Sequence, residues 1–194
     1  MTRQHPTLFA EQHILEGVAI SRNDTFRATI RRNSATTNNA IGATGVGHAT
    51  AIALQAGDVV TSITFVTATT AAATPTAGFV ALYDATVSAS APTLMAQSAD
   101  FGSTARAANT AYTVSLATAQ TIVTAGLYYV SISFTAGTVP TLAGMAYHNA
   151  VMSGAIITGM PTMAWTHGSS LGATAPSTIA SGSAVATPCY FICR

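Results

Sequence analysis

A chain of 194 residues is long enough for one domain with a real core, yet only 7% of its residues are charged, against roughly 25% in ordinary soluble proteins. Lysine is absent, and seven arginines against six acids leave a net charge of +1, which argues against non-specific nucleic-acid binding. No run of about 18 apolar residues predicts a membrane-spanning helix, and Glu11, His13 and Glu16 interrupt any apolar core a secretion signal would need.

The few charges are unevenly spread. Eight of the thirteen lie in the first 32 residues, and none lies between Ala107 and Cys193. The polar surface of that long stretch must be made of hydroxyls and backbone. Solubility normally relies on interspersed charge, so neighbouring subunits are expected to cover part of it. A codon bias favouring Ala, Thr, Gly and Arg over Lys is a compatible second cause.

Residues 1–45 read as an extended N-terminal arm. Leu8 to Ile20 carries Leu8, Phe9, Ile14, Leu15, Val18 and Ile20 with two acids, at a period ambiguous between helix and strand. Thr25 to Arg31 alternates, and a Ser/Thr/Asn/Gly run follows from Asn33 to Gly47. Such a segment has apolar anchors but too few for a core of its own. Phe9, Leu15, Arg22, Phe26, Arg27, Ile30, Arg31 and Arg32 are the candidate partner-binding residues, the arginines meeting acidic groups on a partner. The alternative is a first strand or two packing back on the same domain.

From residue 46 to 194 the chain reads as one β-domain. His48 to Leu54 alternates with alanines. Asp58 to Val66 puts Val59, Ile63 and Phe65 inward, and Gly78 to Asp84 is apolar on both faces. Thr67 to Ala77, with Pro75, is expected to be a loop. Thr93 to Ser98 and Ala111 to Thr118 are further strands, the second with Tyr112, Val114 and Leu116 inward. The clearest strand is Gly126 to Phe134, with Tyr128, Val130, Ile132 and Phe134 on a buried side and Leu127, Tyr129, Ser131 and Ser133 on the other. Val139 to Gly154 suits a short helix or a packed loop. Met163 and Trp165 share a face of a short strand, Trp165 plugging the core beneath a Gly168 to Thr187 loop. Pro188 to Cys193 suits a strand inserted between others. The pattern predicts an all-β chain, an antiparallel β-sandwich of jelly-roll type. Cys189 and Cys193 fall roughly 13 Å apart on an extended strand, too far for a disulfide, and read as buried thiols.

Chemistry is sparse. His5, His13, His48, His148 and His167 stand at no metal-ligand spacing, and no nucleophile elbow or phosphate loop occurs. Asp58, Asp84 and Asp100 are scattered, the first two at strand ends where they suit turns. No catalytic residue, metal or cofactor is predicted, and the chain is expected not to be an enzyme.

One resemblance adds to this. Gly57-Asp58-Val59-Val60-Thr61-Ser62-Ile63-Thr64-Phe65-Val66, Phe79-Val80-Ala81-Leu82-Tyr83-Asp84, Leu94 to Asp100, Ala107 to Ala111, Gly126-Leu127-Tyr128-Tyr129 and Thr138 to Gly144 follow one another in an order that resembles small β-sandwich virion proteins of tailed phages infecting actinobacteria. The resemblance spans Gly57 to Gly144 and implies a structural role on the virion. It implies neither head nor tail; the charge-bearing, apolar-dotted arm joined to an almost charge-free domain points to a capsid decoration or minor capsid protein whose arm holds the major capsid protein or another virion protein. The Gly-Leu-Tyr-Tyr strand also resembles the trimeric jelly roll of tumour-necrosis-factor-like proteins, which implies a homo-oligomer, a trimer. The alternative place is a tail fibre or tail-tip module that binds carbohydrate on the host surface.

Overall fold

The computed structural model describes residues 27–146, 161–180 and 182–194. Among them, twelve strands form: β1 (Arg27–Ala28), β2 (Thr37–Ala40), β3 (Gly47–Leu54), β4 (Val59–Val66), β5 (Ala73–Asp84), β6 (Thr93–Gln97), β7 (Ala111–Thr121), β8 (Gly126–Thr138), β9 (Thr141–Gly144), β10 (Ala164–His167), β11 (Ser183–Ala184) and β12 (Phe191–Cys193). One sheet runs β1-β12-β4-β7, a larger one β11-β10-β3-β8-β5-β6, and a ribbon pairs β2 with β9. Each pairing is antiparallel. The all-β antiparallel sandwich predicted from the pattern is what forms.

The main core lies between the two larger sheets. Alternation sends Ile52, Leu54, Val80, Leu82, Tyr128, Val130, Ile132 and Phe134 of the six-stranded sheet against Val60, Ile63, Phe65, Phe191 and Cys193 of the other. Phe65, Phe101 and Phe134 meet with ring centroids 5.3 to 6.0 Å apart. The pleat does not simply continue along β4. Its register with β7 shifts between Val60 and Ser62, and such an irregularity flips which side chains point inward. Val60 is therefore buried, whereas Val59, expected inward, is 49% exposed.

A second core covers the opposite face of the six-stranded sheet. Phe79, Ala81, Tyr83, Tyr129 and Trp165 pack there under Ala175 and Ile179. Residues 168–180 act as a strap: Leu171 N–H donates to Gly45 O, Thr135 Oγ1 to Leu171 O, Ala175 N–H to Gln97 Oε1, Tyr83 OH to Pro176 O and Leu94 N–H to Ser177 O. Strand β8 is consequently buried on both faces, Ser131 and Ser133 included, where alternation alone predicts one. It also runs on to Thr138. Its partner β5 begins at Ala73, inside the expected loop; Pro75 is accommodated because the register shifts between Pro75 and Ala77. Leu142, expected in a helix or loop, lies in β9. Residues 147–160 lie outside the described part.

The arm expected over residues 1–45 is, in its described portion, part of the sandwich. Strand β1 pairs with β12, and Thr29 both donates to Cys189 O and accepts from Phe191 N–H. Strand β2 pairs with β9. Asn39 donates to Met145 O and Pro188 O from a buried position, and Ile41 is 1% exposed in the main core. Too few apolar residues for a separate core are still enough to complete a neighbouring one. Strand β12, as expected, lies between two others.

Candidate functional site

The eight predicted partner-binding residues divide at the boundary of the described part. Phe9, Leu15, Arg22 and Phe26 lie outside it. Arg27 opens β1 and binds Asp58 at 2.8 Å. Ile30 is half-buried, while Arg31 and Arg32 are exposed on the short 3-10 turn that follows. Arg32 lies beside Tyr190, whose hydroxyl is shifted upward by burial against the opposing pull of that arginine. Of the four described residues, Arg27 is built into the edge strand of the smaller sheet, and Ile30, Arg31 and Arg32 follow it.

The three acids of the β-domain each hold a turn. Asp58 accepts from Gln55 N–H as well as from Arg27. Asp84 Oδ1 accepts from Thr86 N–H, and Asp100 Oδ1 from the N–H groups of Gly78 and Gly102. Among the described residues no three of His, Cys, Asp and Glu come together as a metal site.

One pair has the chemistry of a nucleophile and base: Ser131 Oγ lies 2.8 Å from His167 Nε2. Backbone register explains the meeting, because Ala49 stands opposite both Ser131 and Trp165, and Gly47 opposite His167. Gly47 is needed there, since a Cβ would come within 2.5 Å of the imidazole. Ser131 is wholly buried, and His167 Nδ1 has no partner. Burial pushes the His167 pKa down to about 4. A nucleophile needs room for a substrate at its oxygen and a base oriented from its far side; Ser131 is buried and His167 Nδ1 makes no hydrogen bond, so the pair is arranged as a polar contact inside the second core.

Trp165 fills the place expected of it. It is 7% exposed, its ring stands edge-on to Tyr129 at 5.7 Å, and Nε1–H donates to Thr162 O. Gly182 lets the chain cross the indole face, where a Cβ would collide with the ring. Among the described residues no aromatic side chain is fully exposed.

Sequence reasoning passed over the surface that stands out most. Among the described residues, Val59, Val87 and Val123 are the exposed large hydrophobics, the last two at 96% and 84%. All three lie at one end of the sandwich. Gly57 N–H donates to Ile122 O and Ile122 N–H to Asp58 O, which ties Val59 to Val123. Thr86 abuts Gly126, which brings the loop of Val87 beside them. A groove of about 500 Å³ has Ala85, Ala89, Ser90, Thr124, Leu127 and Trp165 among its walls and, among the described residues, no charged side chain. Val87 and Val123, set inside turn segments, were the available signal, since turn tips rarely expose large apolar groups.

No protein-family model matches the chain, and no curated protein is significantly similar to it.

Proposed function

We propose that the chain is a non-enzymatic virion structural protein of a tailed phage, a capsid decoration or minor capsid protein. Its leading residues attach it to the head shell, and its sandwich associates with further copies of itself. The observation that carries the reading is the near-absence of ionic groups. The described part of the sandwich from Ala107 to Cys193 presents no charge at all, and the three acids that precede it, Asp58, Asp84 and Asp100, are spent on turns. Such a surface suits permanent cover by other subunits better than free solution. The likeness of Gly57 to Gly144 to phage virion proteins supplies the particle.

Folding of Arg27 to Ile41 into the sheets narrows the attaching segment to residues 1–26. Immunogold labelling of virions with antibody to the β-domain tests the reading: gold over heads is expected. Gold on tails favours the host-binding alternative, and unlabelled particles overturn both.

A further inference from the structure

We infer that the outer edge of β7 is a self-association site, at which Ala111–Ser115 pairs antiparallel with the same residues of a second copy. The inference rests on the proposed association of sandwiches and names the surface for it. The other edges of the two large sheets are short or covered. Among the described residues, β1 and β11 extend over two residues each. Strand β6 is bonded by the strap, through Leu94 N–H to Ser177 O and, just before the strand, Ile179 N–H to Pro92 O. Strand β7 is long and, among the described residues, pairs only with β4. Ser98 meets its outer side at Leu116, and the register with β4 breaks beyond Ser115. Ala111–Ser115 is thus a regular stretch, paired on one side and open on the other.

Natural sheets guard such an edge with lysine, proline, a bulge or an inward-pointing charge. Ala-Tyr-Thr-Val-Ser carries none of these. A two-fold axis brings a strand's central side chains close to their own images, so the lack of charge favours self-pairing in particular. The core is also incomplete at this place. Tyr112 and Val114 pack against it, the Tyr112 ring 5.7 Å from that of Phe65, yet both stay only half-buried. One register makes the stretch complementary to itself. With the axis at Thr113, Thr113 faces its image, Tyr112 faces Val114 of the second copy, and Ala111 faces Ser115. Thr–Thr and aromatic–β-branched pairs are favourable cross-strand neighbours. Alternation keeps Tyr112 and Val114 on the core side in both copies and Ala111, Thr113 and Ser115 on the solvent side. The two smaller sheets then become one sheet running through both molecules.

Single cysteines introduced into the full chain read this register, because Cys189 and Cys193 are buried. Thr113→Cys lies about 5 Å from its image between Cβ atoms and should give a covalent dimer on oxidation. Ala111→Cys or Ser115→Cys alone stands roughly 13 Å from its own image, beyond disulfide reach, but the two variants mixed should link. Thr113→Lys sets like charges face to face. It should halve the mass read by light scattering while the far-UV CD spectrum stays unchanged, and mixing it with Thr113→Glu should restore the dimer. A wild-type assembly that Thr113→Lys leaves intact, or a covalent dimer from Ala111→Cys alone and none from Thr113→Cys, overturns the inference while self-association stands. A wild-type monomer at every concentration overturns both, and immunogold labelling answers the virion reading separately.

Discussion

His48 is held in the fold at a cost. It is wholly buried in β3, and neither ring nitrogen makes a hydrogen bond of sound geometry. Burial lowers its pKa to about 4, the nearby Thr187 backbone softens the effect, and His167 adds to it. A folded pKa below the ordinary 6.5 means that the unfolded chain takes up a proton that the folded chain refuses. Stability is thus complete above about pH 6.5 and declines as the pH falls toward 4, by about 2 kcal/mol per histidine at pH 5. His48→Leu should leave stability at pH 7 unchanged or higher and flatten the acid limb, as urea unfolding at pH 7 and pH 5 will show; an unaltered limb rules His48 out as its source. Gly47→Ala makes a complementary case. Its methyl would displace His167 from Ser131, at a cost of about 1–3 kcal/mol. Thermal unfolding of Gly47→Ala, His167→Ala and the double variant should show strong non-additivity.

The strap over residues 168–180 decides which elements are central. Gln97 holds it twice, donating to Ala173 O and accepting from Ala175 N–H. Gln97→Ala should cost about 1–3 kcal/mol and speed amide exchange of the strap while β4 and β12 keep their protection; uniform loss of protection would show that strap and sandwich open together. The strap also explains what could be read from the sequence. Alternation marked β3, β7 and β8 because each sends an apolar row to the main core, and in β4 it held only for Ile63 and Phe65, beyond the register shift. It could not show that Ser131 and Ser133 are buried too, since cover such as His167, 36 positions beyond Ser131, comes from a later part of the chain. Strand β2 was equally illegible: Thr37–Ala40 has no apolar row, and Asn39 earns its place through hydrogen bonds to distant carbonyls. The exposed valine end escaped notice because periodicity describes strands and says nothing about the loops that meet at their tips.

At the scale of the whole molecule, the scarcity of charge sets how copies of the chain should behave. One ion pair, between side chains that are 34% and 19% exposed, is found among the described residues, and such pairs contribute little. Association through this surface should therefore survive high salt. Light scattering behind size exclusion is expected to give the same assembly at 50 mM and at about 1 M salt, where the Debye length shrinks to roughly 3 Å. A monomer under both conditions would remove the support for self-association. The position of β12 carries one more consequence. Because Phe191–Cys193 separates β1 from β4, the smaller sheet cannot close while those residues remain in the ribosomal exit tunnel. The larger sheet's β3, β5 and β8 have already emerged by then. During synthesis one greasy layer waits, half-built, for the strand that seals it, and contacts of such long sequence separation fold slowly. Nascent chains of this protein are expected to lean on chaperones until that strand has emerged.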